Sequence, residues 1–146
     1  METIKAIETM KTIDGPKSEL VTIINGLFGV QDLKGKKFSL VVSKNIALLK
    51  EFLQDLENAG APSKEFMVIA EKVNEIANKN EEDAKDQINK IEEDNKELVE
   101  ARRNQMDGVQ EMMKEKAFLD LYIISEKLLP EDITAQQINK IIKIIE

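Results

Sequence analysis

The chain has no cysteine, no histidine and no tryptophan among its 146 residues, and its single tyrosine is Tyr122. Without cysteine there is no disulfide, no thiol nucleophile and no thiolate metal ligand. Without histidine, imidazole acid–base schemes and zinc sites of the Cys/His kind are excluded. Any chemistry would fall to carboxylates, lysines, hydroxyls and Tyr122. Prolines number 3, glycines 6, and aromatics make up 4% of residues. So few chain breakers fit a helix-rich protein with solvated faces. No apolar run approaches the roughly 20 residues that span a bilayer. The opening stretch METIKAIETM scatters charges where a signal peptide has an apolar core, so a soluble intracellular protein without membrane contact is expected.

What is present is charge. Acids outnumber bases 28 to 21, a net charge of −7, and charged residues are 34% of the chain beside 42% apolar. An acidic surface repels phosphate backbones, which argues against direct nucleic-acid binding, and it suits a basic partner. At this length one domain is expected.

Residues 2–12 place Ile4, Ile7 and Met10 at helical spacing, and Asp14-Gly15-Pro16 stops that segment. Pro16 can open the next helix, which carries Leu20, Val21, Ile23, Ile24, Leu27 and Phe28 and ends near Gly29. Asn25-Gly26 is a hairpin signal elsewhere, but the apolar residues around it do not alternate. Residues 30–36 form a loop. Phe38, Val42, Asn45, Leu49, Phe52 and Leu56 then follow one another at spacings of four and three, a heptad seam with one polar member. Val41, Ile46, Leu48 and Leu53 widen it into a core-facing stripe. The polar Asn45 sets register or oligomeric state, as a buried asparagine does in coiled coils, or bonds to a neighbouring helix end or loop; direct contact with a ligand is the third reading.

Asn58-Ala59-Gly60 ends that helix and Pro62-Ser63 restarts one. From about 63 to 107 the pattern is helical but increasingly polar. Phe66, Ile69, Val73 and Ile76 make a seam, which continues as Asn80, Ala84, Ile88, Ile91, Asn95, Leu98, Arg102 and Gln105, with a stutter at 80–84–88. Asn78 to Asp83 is the place for a turn, leaving either a hairpin or one long helix. Between Glu75 and Glu100 there are ten acids and four lysines, a difference of −6, so the acidity is local to this arm. Glu92, Glu93, Asp94 and Glu97 offer an acidic face; the alternative is a solvated helix laced by pairs such as Glu81–Lys85 and Glu92–Lys96. Three consecutive acids point around a helix rather than converging on a metal, the Asn78–Asp83 stretch lacks the Asp and Gly of a calcium loop, and no phosphate-binding or nucleophile-elbow motif occurs. No cofactor, metal or catalytic residue is expected.

Gly108 is a second candidate break. Residues 117–124, AFLDLYII, permit a short strand or a helix. After Leu129-Pro130, Thr134 and Gln137 form a capping box, with Ile133 and Ile138 placed as a hydrophobic staple. Ile138, Ile141, Ile142 and Ile145 then make one apolar face that must dock on something.

Two stretches, GKKFSLVVSKNIALLKEFLQDLE (35–57) and LYIISEKLLPEDITAQQINKIIKII (121–145), resemble an uncharacterised family of small proteins from tailed bacteriophages of low-GC hosts, a domain of unknown function. The carriers are Gly35, Phe38, Lys44 and Asn45, then Leu129, Pro130, Ile133 and Thr134. The resemblance covers both ends of the chain and not its middle. It implies a phage setting, in host cytoplasm or virion, and no particular chemistry.

The combined expectation is an all-α protein. A small helical bundle (1–60 and 109–146) carries a charged antiparallel coiled-coil-like arm (63–107), with room for one short strand near 117–124. It is a non-enzymatic homo-oligomer acting through protein partners, either phage structural proteins or a host protein. As a minor virion component or assembly factor it would work through Phe38, Val42, Asn45, Leu49, Phe52, Ile138, Ile141, Ile142 and Ile145. The alternative is an acidic host-directed inhibitor, an anti-defence protein or a blocker of a nucleic-acid enzyme, using Glu92, Glu93, Asp94 and Glu97.

Overall fold

The computed structural model describes residues 9–146. Among these the fold is mainly helical, with a two-stranded antiparallel sheet. Strand β1 is Met10–Pro16. Helices α1 (Lys17–Val30), α2 (Lys36–Phe52), α3 (Gln54–Gly60), α4 (Lys64–Lys79), α5 (Ala84–Asp94) and α6 (Lys96–Lys114) follow. Strand β2 (Lys116–Tyr122) and helix α7 (Ala135–Ile141) complete the order, with 3-10 turns at Glu126–Leu128 and Ile142–Ile144. The chain divides into two compact units. One takes in the chain up to Asp55 and from Met112 to Glu146; the other is Leu56–Glu111.

The helix expected over residues 2–12 needs correction. Residues 1–8 lie outside the described residues, but Met10–Pro16 is strand. It pairs with β2 in a register that sets Met10 opposite Tyr122, Ile13 opposite Leu119 and Pro16 opposite Lys116. The helical spacing pointed to Met10 as an inward residue, yet Met10 is exposed and Ile13 is buried. A partner strand satisfies the backbone of both segments at once, and that outweighs a three-residue apolar period. The ambiguous segment 117–124 is strand as far as Tyr122. Its alternation is plain: Ala117 and Leu121 are buried, whereas Phe118 is 62% exposed. On the outer face Thr12 donates its hydroxyl to the Asp120 carboxylate. The all-α expectation holds in its main lines: the described residues are mostly helical, and one small two-stranded sheet is added to them.

Helix α1 begins after Pro16, whose extended backbone (φ −68°, ψ 153°) makes it the N-cap. It buries Leu20, Ile23, Ile24, Leu27 and Val30. Gly26 lies where α1 meets α7: a Cβ there would stand 2.7 Å from Lys140 Cβ and 2.9 Å from Ile141 Cγ2. The hairpin signal Asn25-Gly26 is thus a helix contact that requires a missing side chain.

Helix α2 opens at Gly35, whose φ of 136° is closed to L side chains. It buries Phe38, Val41, Val42, Asn45, Ile46 and Leu49. Of the expected seam, Phe38, Val42, Asn45, Leu49 and Leu56 are buried, as is Leu53 of the wider stripe; Phe52 departs from it, 36% exposed. The reason is local. Leu53 leaves the helical conformation (φ −92°, ψ 9°), so the one helix expected as far as Asn58 is broken into α2 and α3 beside Phe52.

At the C-terminus the capping box forms as its sequence implies. Thr134 Oγ1 accepts from the Gln137 N–H at 3.2 Å, and Gln137 Oε1 accepts from the Thr134 N–H at 3.0 Å. The expected terminal face is corrected. α7 stops at Ile141 and tightens into a 3-10 turn with three residues per turn, which brings Ile144 into line with Ile141. Ile141 and Ile144 are fully buried, Ile142 is 53% exposed, and Ile138 and Ile145 are half-buried. The end of the chain then pairs parallel to the segment after β2, with Ile124 N–H donating to Ile144 C=O at 2.7 Å and Glu146 N–H to Ile124 C=O at 3.0 Å.

In the second unit, α4 is capped by Ser63, whose hydroxyl accepts from the Phe66 N–H at 3.1 Å. It ends at Asn80 in the left-handed region (φ 57°, ψ 33°), a conformation that asparagine tolerates. The chain reverses over 80–83, so the arm is a hairpin of α4 and α5 rather than one long helix. The second break falls at Asn95, not Gly108; α6 runs through Gly108, which faces open space. Asn95 leaves helical geometry and returns both its N–H (3.1 Å) and its Nδ2 (2.8 Å) to the Ile91 carbonyl.

Candidate interaction surfaces

Asn45 is fully buried, and both ends of its carboxamide are used. Nδ2 donates to the Tyr122 carbonyl at 2.9 Å, and Oδ1 accepts from the Tyr122 N–H at 2.7 Å. Tyr122 and Met10 face one another in the sheet, and the Tyr122 backbone turns its polar groups away from β1 toward α2. The side chain of Asn45 thus does for the edge of β2 what a third strand would do. Lys44 Nζ lies 5.4 Å from the centroid of the Tyr122 ring, a second tie between the same two elements. In this arrangement Asn45 joins α2 to β2 within the chain. Phe38, Val42 and Leu49 are buried beside it in the same helix, so three apolar seam members and Asn45 lie inside the first unit. Of the nine apolar-seam and terminal residues proposed for contact, Phe52 and Ile142 are exposed, and Ile138 and Ile145 are half-buried.

The polar members of the second seam have definite work. Arg102 donates to the Gly60 carbonyl at 2.8 Å and to Gln105 Oε1 at 2.9 Å. Gln105 Nε2 donates to the carbonyls of Ala59 (2.8 Å) and Ala61 (2.6 Å). The Arg102 guanidinium also stands 5.6 Å from the Phe66 ring centroid. Together they fasten the loop before α4 to α6, which accounts for the change from apolar to polar residues along that seam.

The apolar part of the unit is thinly covered. Within Leu56–Glu111 only Leu56 and Ile69 count as buried apolar residues; Phe66, Val73, Ile76, Ile88, Ile91, Leu98 and Val99 are half-buried. Between α4 and the α5–α6 joint lies a groove of about 500 Å³. Ile69, Ile91 and Leu98 form its apolar side, Val68 stands at its rim 53% exposed, and Glu65, Lys72, Asp94 and Asn95 complete the lining. A neighbouring recess of about 330 Å³ shares Asp94, Asn95 and Leu98 with it and adds Glu93, Lys96 and Glu97.

The four acids singled out from the sequence all lie exposed about the Asn95 joint. The structure places Glu93, Asp94 and Glu97 along the groove and its recess, whereas Glu92 lines a separate hollow with Phe66 and Val73. Sequence reasoning missed Val68, Glu65 and Leu98 as one surface. The available signal was Val68 itself, an apolar residue outside the Phe66–Ile69–Val73–Ile76 seam and flanked at helical spacing by Glu65 and Lys72. Among the described residues no group of three or more carboxylates is placed to hold a metal ion, and no helix is long and apolar enough to cross a membrane. No protein-family model matches the chain, and neither a curated protein nor a solved structure does.

Proposed function

We propose that this is a non-enzymatic bacteriophage protein acting by protein–protein contact, as a minor virion component or assembly factor. The observation that carries the reading is the half-buried seam of Leu56–Glu111. A helical hairpin draws its stability from an amphipathic face that is covered, and Phe66, Val73, Ile88, Ile91 and Leu98 are covered only in part. A partner helix, supplied by another protein or another copy in a coiled-coil-like pairing, would finish the cover. The phage setting rests on the two stretches that resemble the phage family. The second reading, an acidic host-directed inhibitor, is favoured by the exposure of Glu92, Glu93, Asp94 and Glu97 about one joint.

Tagged full-length chain used to capture partners from phage-infected cells, washed at low and at high salt, separates the two. Apolar contact survives screening and long-range charge attraction does not. The first reading expects capsid or tail proteins retained at high salt. A host nuclease, polymerase or defence protein lost at high salt would replace it with the second.

A further inference from the structure

We propose that the groove between α4 and the α5–α6 joint receives a basic amphipathic helix from the partner, apolar face inward and lysines or arginines along its flanks. This rests on the protein-contact reading above and specifies the partner's chemistry. Two independent features of one concavity support it. Ile69, Ile91 and Leu98 give an apolar strip in a groove of about 500 Å³, with Val68 at its lip, the kind of surface that takes the apolar face of an amphipathic helix. Carboxylates border that strip: Glu65 and Asp94 in the groove, Glu93 and Glu97 in the adjoining recess, against Lys72 and Lys96. Four negative groups to two positive ones favour cationic flanks.

A second copy of this chain fits less well. Leu56–Glu111 carries 15 acids and 8 bases, a difference of −7, so two such units brought face to face repel. A basic helix meets the same apolar strip without that penalty, and charge attraction guides it in. The joint at Asn95 explains why the acids gather there. Breaking the helix after Asp94 turns Glu93 and Asp94 at the end of α5, and Glu97 at the start of α6, toward the recess on one side.

The probe is a leucine–lysine peptide about five helical turns long, with leucines at amphipathic spacing. It is compared with a scrambled peptide of the same composition and with a leucine–glutamate peptide of the same spacing, each titrated against the full chain. The amphipathic basic peptide is expected to bind at least about tenfold tighter than either control. Raising salt from 0.1 to 1 M shortens the screening length from about 10 to about 3 Å and should weaken binding without abolishing it. Val68→Asp, at an exposed rim position, and the triple change Glu93→Lys, Asp94→Lys, Glu97→Lys should each cost about tenfold in affinity while helicity and melting stay unchanged. Equal binding of the scrambled peptide, indifference to Val68→Asp, or a chain dimer that Val68→Asp dissociates and the peptide leaves intact would each overturn the proposal. Virion proteins captured from cells with no peptide binding would sink this inference and leave the function standing. Peptide binding with no virion protein captured would do the reverse.

Discussion

The two units place their apolar residues differently. The unit joining both ends of the chain buries Leu20, Leu27, Val30, Phe38, Leu49, Leu121, Ile141 and Ile144 at 1% exposure or less. The hairpin unit reaches nothing comparable; its best-covered residues are Ile69 at 8% and Leu56 at 9%. The first therefore supplies its own cover from residues far apart in sequence. The second has helical period, caps and a turn but only one layer of helices over its seam. Local helix signals and self-sufficient packing are separate properties, and this chain carries the first in both units and the second in one.

The most direct way to break that contrast is to cut the same kind of side chain in each. Leu27→Ala in the first unit removes a fully buried side chain and should cost about 2–5 kcal/mol, since the tightly packed surroundings cannot collapse into the space. Ile91→Ala in the hairpin removes a half-buried one and should cost roughly 1 kcal/mol, mostly lost transfer energy. Chemical denaturation of both variants measures the difference. Equal losses would mean that the hairpin seam is as well packed as the core.

Asn45 sharpens the contrast from inside the first unit. As a register-setting residue of a coiled coil, its replacement by leucine would raise stability or change the oligomeric state. The hydrogen bonds to Tyr122 reverse the sign. Asn45→Leu keeps the branched shape, with somewhat more bulk, but leaves the Tyr122 N–H and C=O without partners in a part-buried place. Two such orphaned groups should lower stability by about 2 kcal/mol or more, with the mass in solution unchanged. A higher melting temperature would show that Asn45 is a specificity device after all.

These cases also show what could be seen in the residues alone. The helix at 17–30, the start of the one at 36–52, the place for a turn near 80–83 and the Thr134–Gln137 box were legible because each depends on neighbours within a few positions; the break at Leu53 and the choice between hairpin and long helix were not. The strand at Met10–Pro16 was not, because its partner lies over a hundred residues away and its helical spacing was the stronger local signal. Asn45 was legible as a polar residue on an apolar stripe, but its partner is 77 positions distant. The terminal isoleucines were misphased because a 3-10 turn replaces the α-helix after Ile141, and the period changes with it. The groove was legible only in pieces: its acids from composition, its floor from period, and their union only once the chain bends at Asn95.

The smallest effect tests whether the two units respond as one. Each contains a helix N-cap whose hydroxyl serves the N–H three residues on, Thr134 in the first and Ser63 in the second. Thr134→Ala and Ser63→Ala should both cost about 1 kcal/mol of local helix stability. Their readouts should differ. The α7 cap belongs to an element whose Ile141 is locked in the core, so its loss should appear in the global melting temperature. The α4 cap belongs to a thinly covered hairpin, which can open at a free energy below that of global unfolding. Ser63→Ala should therefore speed amide hydrogen exchange across α4 and α5 while leaving exchange in α1 and α2 nearly unchanged. If exchange rises equally in both units, the hairpin and the core unfold as one cooperative body, and the half-covered seam is held more firmly than its exposure implies.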